Sequence, residues 1–139
     1  MKPYLAALFV ATLGIGALSA PAVQAAENQV LLQVSDNDEG KWNLALNNAK
    51  NLQAAFGKDQ VDIEIVVYGP GIGMLKADST VGNRVIDAGS NGVKVIACEN
   101  TMKAQKLQRD DMVEGIAYVP AGVAEITTRQ KQGWSYIRP

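Results

Sequence analysis

The only cysteine of the chain, Cys98, is the side chain best suited to covalent chemistry. The 139 residues include one Cys and no His. These counts exclude a Cys-His pair, a Ser-His pair and a zinc site built from thiolates and imidazoles. A single cysteine cannot form a disulfide within its own chain. It is therefore a buried core residue, a link between two chains, or a free reactive thiol.

The position of Cys98 gives it one feature of a reactive thiol and leaves both interpretations open. It ends the segment 93–98, which is apolar except for Lys94 and is typical of a strand, and it precedes a short helix that we expect Asn100 or Thr101 to cap. A helix N-terminus lowers the pKa of a thiol and so favours the nucleophilic thiolate, whereas the neighbouring Glu99 acts in the opposite direction. The alternative interpretation is that Cys98 is a small hydrophobic residue of the core.

A glycine-rich turn, Gly69-Pro70-Gly71-Ile72-Gly73, follows the second predicted strand. It is not a P-loop, because no Gly-Lys-Ser/Thr follows it. It is not the dinucleotide fingerprint either, because Met74 occupies the place of the third glycine. The turn indicates a backbone that bends sharply beside another chain or beside a small ligand.

The acidic loop Asp36-Asn37-Asp38-Glu39-Gly40 has only a superficial likeness to a calcium-binding loop. Counted from Asp36, the twelfth residue is Asn47, where such a loop needs a bidentate Glu. The glycine also falls one position too early. We therefore interpret the loop as a solvated connection and predict no metal site. No motif indicates heme or flavin, so no cofactor is predicted.

The elements that position these residues alternate along the chain. Periodicity and breakers predict strands over 29–35, 61–68, 93–98, 116–119 and 134–137, and helices over 41–56, 81–88, 100–107 and 121–132. In the last helix, Val123, Ala124 and Ile126 are expected to face the core. Strict alternation predicts a three-layer α/β fold, in which a mostly parallel five-stranded sheet has helices on both faces. Ligand sites of such sheets lie at the carboxyl ends of the strands.

Residues 1–25 are typical of a secretory signal peptide. Lys2 precedes the apolar run 5–20, and Val23-Gln24-Ala25 fits a signal peptidase site with cleavage after Ala25. A retained membrane anchor is the alternative, but a spanning helix needs about 20 apolar residues and this run is shorter. We therefore expect a periplasmic or secreted protein. Its single domain would cover residues 26–139 and have no membrane span after signal removal.

The charge balance argues against one class of partner. The sequence has 13 Lys and Arg residues against 14 Asp and Glu residues, with no basic run or stripe. Nucleic-acid binding requires clustered cations that neutralise phosphates. A nucleic-acid partner is therefore not expected.

Several segments, taken in order, resemble the DsrE/DsrF-like family, and in particular its small exported members. The likeness spans nearly all of residues 26–139, and no single segment is diagnostic. The segments are Lys41-Trp42 with Ala45-Leu46-Asn47-Asn48, Val66-Val67-Tyr68-Gly69-Pro70-Gly71, Cys98-Glu99-Asn100-Thr101-Met102, Val119-Pro120-Ala121-Gly122-Val123-Ala124-Glu125 and Gly133-Trp134-Ser135-Tyr136-Ile137-Arg138-Pro139. The resemblance implies a compact flavodoxin-like or Rossmann-like fold that assembles into homotrimers or hexamers.

The resemblance also implies a function for Cys98. In the best understood members of the family a cysteine accepts sulfane sulfur as a persulfide and hands it to a partner protein, and Cys98 matches the position of the family's cysteine after a central strand. The residues implied to line its pocket are Tyr68, Gly69, Gly71, Asn100 and Thr101. Whether the chain is a sulfurtransferase or only a carrier stays open. The alternative function is a non-catalytic oligomeric module that binds a small ligand or a protein near Gly69–Gly73, with Cys98 structural.

Overall fold

The computed structural model describes residues 26–139, so the predicted signal peptide lies outside the described residues. The strands are β1 (Asn28–Val34), β2 (Val61–Val67), β3 (Lys94–Cys98), β4 (Ala117–Val119) and β5 (Ser135–Ile137). The helices are α1 (Glu39–Phe56), α2 (Gly82–Ser90), α3 (Glu99–Ala104) and α4 (Gly122–Lys131). Three short 3-10 helices cover Lys58–Gln60, Gly69–Leu75 and Arg109–Asp111. The alternation predicted from the sequence is confirmed. Within residues 26–139, no helix is both long enough and apolar enough to cross a membrane.

All five strands pair in parallel, in the order β4-β3-β2-β1-β5. The first four strands are added in one direction, and the chain then returns to place β5 beside β1. Crossovers between parallel strands are right-handed, so reversing the direction of strand addition moves the connecting helix to the opposite face of the sheet. This rule explains why α1 and α2 cover one face, the main face, while α4 alone covers the other, the α4 face.

The main face carries the larger core. Alternate side chains of β1 and β2 pack against α1, which buries Trp42, Ala45, Leu46 and Ala49 at helical spacing. The helix begins where the Asp38 side chain accepts a hydrogen bond from the backbone N–H of Lys41 at 2.9 Å. This broad apolar contact holds α1 firmly against the sheet.

The α4 face carries a smaller core of Leu31, Val66, Ile96 and Ile126. The expectation that Val123 and Ala124 face this core is wrong, since both are exposed, Val123 by 56%. The inward row of α4 runs instead through Gly122, Ile126 and Arg129, at the i, i+4, i+7 spacing of a helix face. An arginine can occupy this row because the sheet offers it a buried partner.

That partner is Glu64, the one charged residue of the described chain that is buried, at 3% exposure. Arg129 donates to both of its carboxylate oxygens, at 3.0 and 2.7 Å, and Lys94 Nζ lies 3.1 Å from Oε1. Glu125 pairs with Arg129 at 3.0 Å, and the guanidinium lies 4.9 Å from the Trp134 ring centre. We call Glu64, Lys94, Glu125 and Arg129 the Glu64 cluster. It joins the C-terminal half of α4 to β2 and β3.

Candidate functional site

The crevice of this sheet lies between the carboxyl ends of β3 and β4. β3 continues into α3, whose Met102 packs in the core of the main face, whereas β4 continues into α4 on the opposite face. Open α/β sheets bind ligands where neighbouring connections diverge in this way. Cys98 is the last residue of β3 and pairs with Val119 of β4. The topology therefore places the thiol at the crevice.

The Cys98 side chain lies on the α4 face, because it follows Ile96 at the two-residue period of a strand. It is buried, with 5% of the residue exposed. Its Sγ donates to the carbonyl oxygen of Pro120 at 3.9 Å. The same carbonyl accepts the backbone N–H of Asn100 at 3.1 Å. The turn after β4 therefore covers the sulfur and is tied to the start of α3.

The start of α3 differs from the sequence prediction. Neither Asn100 nor Thr101 caps the helix, which begins at Glu99 with Cys98 itself at the N-cap position. The strand runs directly into the helix without a loop, so Asn100 and Thr101 must form the first turn. The neutral Cys98 side chain makes no capping hydrogen bond. It lies at the helix start, where backbone N–H groups lack helical partners.

Thr101 connects the glycine-rich segment to the thiol. Its Oγ1 accepts a hydrogen bond from the backbone N–H of Gly69 at 2.9 Å. The hydroxyl proton must then point elsewhere, and it is available for hydrogen bonding to the sulfur of Cys98. Thr101 thus joins the carboxyl end of β2 to that of β3 through one side chain.

Two opposing effects set the acidity of Cys98. Burial raises the pKa of the thiol, but the Thr101 hydroxyl and the backbone N–H groups of Gly122, Thr101 and Asn100, which can donate to a thiolate, lower it by more. The net result is a pKa below that of an ordinary thiol. Neutral donors from the starts of two helices, α3 and α4, therefore favour negative charge on this sulfur.

The glycine-rich segment is part of the packed structure. Gly69–Leu75 is a 3-10 helix in which Gly71, Ile72, Met74 and Leu75 are buried. A Cβ on Gly71 would lie 2.7 Å from the carbonyl oxygen of Val34, and Gly69 has a positive φ of 56°. These two glycines let the segment turn closely against the end of β1.

The structure brings some of the residues expected around Cys98 close to it, but not all of them. Asn100 and Thr101 lie in the first turn of α3, and the backbone N–H of Gly69 donates to the Thr101 hydroxyl. Tyr68 is half-buried and packs against Gly122. A Cβ added to Gly122 would lie 3.3 Å from the Cβ and Cδ1 atoms of Tyr68. Gly71 instead contacts the backbone of β1.

Sequence reasoning missed Pro120, whose carbonyl accepts from the sulfur, and Gly122, whose amide helps to lower the pKa of the thiol. A signal for them was present. Pro120-Ala121-Gly122 directly follows the fourth strand, so in a parallel sheet it lies at the same edge as Cys98. The sequence did not show that β3 and β4 are neighbours in the sheet.

A separate cavity of about 790 Å³ lies beyond β4. It is lined by the start of α2 and by the loop that precedes β4, and Cys98 is not among its lining residues. At its rim Arg109 pairs with Glu99 at 2.9 Å and stacks over the Tyr118 ring at 4.3 Å. Burial raises the pKa of Tyr118, and Asp110 and Glu99 add to this effect against the opposing charge of Arg109.

The acidic loop after β1 is occupied by internal contacts. Asp36 pairs with Lys41 at 2.6 Å and with Arg138 at 3.4 Å. Its hydrogen bond with Lys41 is the main cause that lowers the pKa of this carboxyl. Asp38 caps α1. Across residues 26–139, no three Cys, Asp or Glu side chains are grouped so that they could hold a metal ion.

The sequence profile of the DsrE/DsrF-like family matches residues 28–139. This match covers well over half of the chain, and the chain therefore belongs to the DsrE/DsrF-like family.

Two solved structures have the same fold. A protein of unknown function from Methanobacterium thermoautotrophicum is 37% identical, with a TM-score of 0.77, over 81% of this chain and 99% of its own. A conserved protein of unknown function from Bacteroides thetaiotaomicron is 15% identical, with a TM-score of 0.67, over 81% of this chain and 95% of its own. The second likeness concerns the fold alone. No curated protein is significantly similar to this chain.

Proposed function

We propose that this protein is a sulfur carrier in which Cys98 accepts sulfane sulfur as a persulfide and passes it to a partner protein. One observation carries the proposal: the only cysteine of the chain lies at the crevice between β3 and β4, with its pKa lowered by neutral donors. A carrier needs a thiolate that can attack a sulfur donor, together with an environment that tolerates charge on the product. Membership of the DsrE/DsrF-like family supports the same chemistry.

The chemical step is an exchange at sulfur. The Cys98 thiolate attacks the terminal sulfur of a donor persulfide, R–S–SH, and a new S–S bond forms as the donor S–S bond breaks. The electron pair of the broken bond leaves with R–S⁻, so charge and atoms balance. No external oxidant is needed, because the transferred sulfur already has the sulfane oxidation level. Transfer to an acceptor thiolate is the same step in reverse.

The hydrogen-bond donors around Cys98 can stabilise negative charge both before and after this step. Before attack, the Thr101 hydroxyl and the amides of Asn100, Thr101 and Gly122 favour the thiolate. After attack, R–S⁻ carries the charge away and the product is Cys98–S–SH, whose outer sulfur becomes negative when its S–H proton is lost to solvent. Hydrogen bonds from these groups to a charged sulfur are stronger than those to a neutral thiol.

The proposal includes an exported, oligomeric protein. Residues 1–25 support export to the periplasm or the outside of the cell. A homotrimer or hexamer is supported by family membership and by exposed apolar side chains, among them Leu44, Phe56 and Ile86. Light scattering on the purified 26–139 chain would measure its mass, and a monomer would contradict the oligomeric part.

Intact mass spectrometry tests the carrier function. The reduced protein is incubated with polysulfide, desalted and weighed, with Cys98→Ser as the matched control. We expect the wild type to gain one sulfur, about 32 Da, because a persulfide retains the sulfane atom. We expect no gain in the variant. A wild type that gains nothing, or a variant that gains the same mass, contradicts the proposal.

A second candidate is a binding module in which Cys98 is structural. The 5% exposure of Cys98 and the cavity beyond β4 favour it. Because Gly69–Leu75 is packed into the structure, this candidate would bind its ligand in the cavity and not at the glycine-rich segment. A thiol that takes up no sulfur and resists alkylation until the whole domain unfolds would support this candidate.

A further inference from the structure

The burial of Cys98 raises a problem of access. Sulfur transfer requires the donor sulfur to reach Cys98 Sγ along the line of the bond that breaks, yet the residue is only 5% exposed. The groups that cover it include the Pro120 carbonyl, 3.9 Å from Sγ, and the amide of Gly122 at the start of α4. A donor can therefore approach only if this covering turn moves.

The helix attached to that turn has little apolar anchoring. α4 buries only Gly122 and Ile126, whereas α1 buries Trp42 and three further residues against the main face. Segments with few buried apolar contacts open at lower free energy than the core does. Of the two helices, α4 is the one whose packing permits local opening.

The other contact that anchors α4 to the sheet is the Glu64 cluster. A buried ion pair contributes little net stability, because desolvation of the charges offsets their attraction, but its geometry is strict. Arg129 meets Glu64 through two parallel hydrogen bonds of 3.0 and 2.7 Å. This arrangement fixes the position of α4 along the sheet. It keeps Gly122 so close to β2 that an added Cβ would lie 3.2 Å from Val66 Cγ1.

We propose that α4 is a gate over Cys98, and that the Glu64–Arg129 pair holds the gate closed. When the pair separates, α4 and the turn Pro120–Gly122 move together and expose the sulfur, while the main face stays folded. The use of the gate in sulfur transfer rests on the proposed function. The local opening itself does not, because it is a property of the packing alone.

Native-state alkylation of Cys98 tests the gate. The rate with iodoacetamide is measured in Glu64→Gln, which keeps the shape of the side chain and removes its charge, over a series of low urea concentrations. We expect labelling about tenfold faster than in the wild type, because local opening becomes easier. In both proteins the rate should depend only weakly on urea, since little surface is exposed on opening. Arg129→Lys is the second variant, which keeps a positive charge but loses the paired hydrogen bonds.

The matched control is Val85→Ala. Val85 is 1% exposed and packs in the main core, so this change destabilises the domain without touching α4. We expect its labelling rate without urea to equal that of the wild type. Equal acceleration in Glu64→Gln and Val85→Ala would overturn the gate, as would a urea dependence equal to that of global unfolding. Wild-type labelling as fast as that of a free thiol would overturn it too.

The same proteins separate the gate from the carrier function. If Glu64→Gln accelerates alkylation as expected but no protein takes up sulfur, the gate stands and the proposed function fails. If sulfur is taken up while alkylation follows global unfolding, the gate fails and the carrier function stands.

Discussion

The two faces of the sheet differ in size and in chemistry. The apolar core of the main face has 22 buried residues and that of the α4 face has four, so the α4 face needs a polar anchor that the main face does not. The Glu64 cluster is that anchor, and the buried thiol lies on the same thin face. The main source of stability and the candidate site therefore lie on opposite faces of the sheet. A broad apolar core holds the fold, and a weakly packed helix covers the thiol of Cys98.

The largest expected effect comes from the main face. Leu32→Ala should lower the free energy of unfolding by about 4 kcal/mol, because Leu32 is 0% exposed and leaves a cavity between β1 and α1. Ile126→Ala on the α4 face should cost about 2 kcal/mol, because its surroundings can close over the gap. Urea unfolding followed by circular dichroism measures both. An Ile126→Ala cost equal to that of Leu32→Ala would break the comparison between the faces.

The next effect concerns the anchor of α4. Arg129→Ala should lower the free energy of unfolding by about 2 kcal/mol, since it leaves Glu64 buried with only Lys94 as a partner. Arg109→Ala is the control, because the Arg109–Glu99 pair is exposed and should contribute less than about 1 kcal/mol. Equal losses of unfolding free energy in the two variants, measured by urea unfolding, would show that burial of Glu64 does not increase the contribution of its ion pair.

A smaller effect is expected at the junction of β1 with the glycine-rich segment. Gly71→Ala should cost about 1.5 kcal/mol, because its Cβ would lie 2.7 Å from the Val34 carbonyl oxygen and the backbone must shift. Gly89→Ala in α2 meets nothing within 4 Å and should be neutral or stabilise by up to about 0.8 kcal/mol. Thermal unfolding of both variants measures the difference. A harmless Gly71→Ala would show that this contact is not tight.

The smallest effect is a pH dependence that comes from Cys98. Because its pKa is lower in the folded protein, the thiolate adds stability as pH rises through the folded pKa. This gain is complete above the pKa of the unfolded thiol, about 8.5, and is lost as pH falls below the folded value. The free energy of unfolding of the wild type should therefore rise relative to Cys98→Ser between neutral and alkaline pH.

Thr101→Val sharpens this prediction, because it removes a donor to the sulfur while keeping the shape of the side chain. The pKa of Cys98 should rise and the pH-dependent gain should shrink. Thr127→Val is the control, since that hydroxyl bonds only to the carbonyl of Val123 within α4. An unchanged pH profile in Thr101→Val would show that its hydroxyl does not act on the thiol.

The sequence predicted the elements of the fold well, for a physical reason. Strands such as 93–98 are apolar except for single residues such as Lys94, and α1 has a clear helical period, so local patterns define them. α4 was harder, because its inward row contains Arg129 in place of an apolar residue. Apolarity alone therefore pointed to Val123 and Ala124. Only the register that pairs Glu64 with Lys94 shows why an arginine belongs there.

The candidate site was predicted in part for similar reasons. Cys98 could be placed at a strand end from sequence alone, and Asn100 and Thr101 followed as its neighbours along the chain. Pro120 and Gly122 could not, because their approach to the thiol depends on β4 lying beside β3. The cap of α3 was also missed, since local residue preferences did not indicate that the strand continues directly into the helix.

The central claim is that Cys98 holds a transferable sulfur, and cyanolysis tests it most directly. The reduced protein is loaded with polysulfide, freed of excess reagent and treated with cyanide, which removes sulfane sulfur as thiocyanate and regenerates the thiol. We predict one thiocyanate per chain for the wild type and none for Cys98→Ser, because the sequence has no other cysteine. No thiocyanate from the wild type, or an equal amount from the variant, would contradict the account.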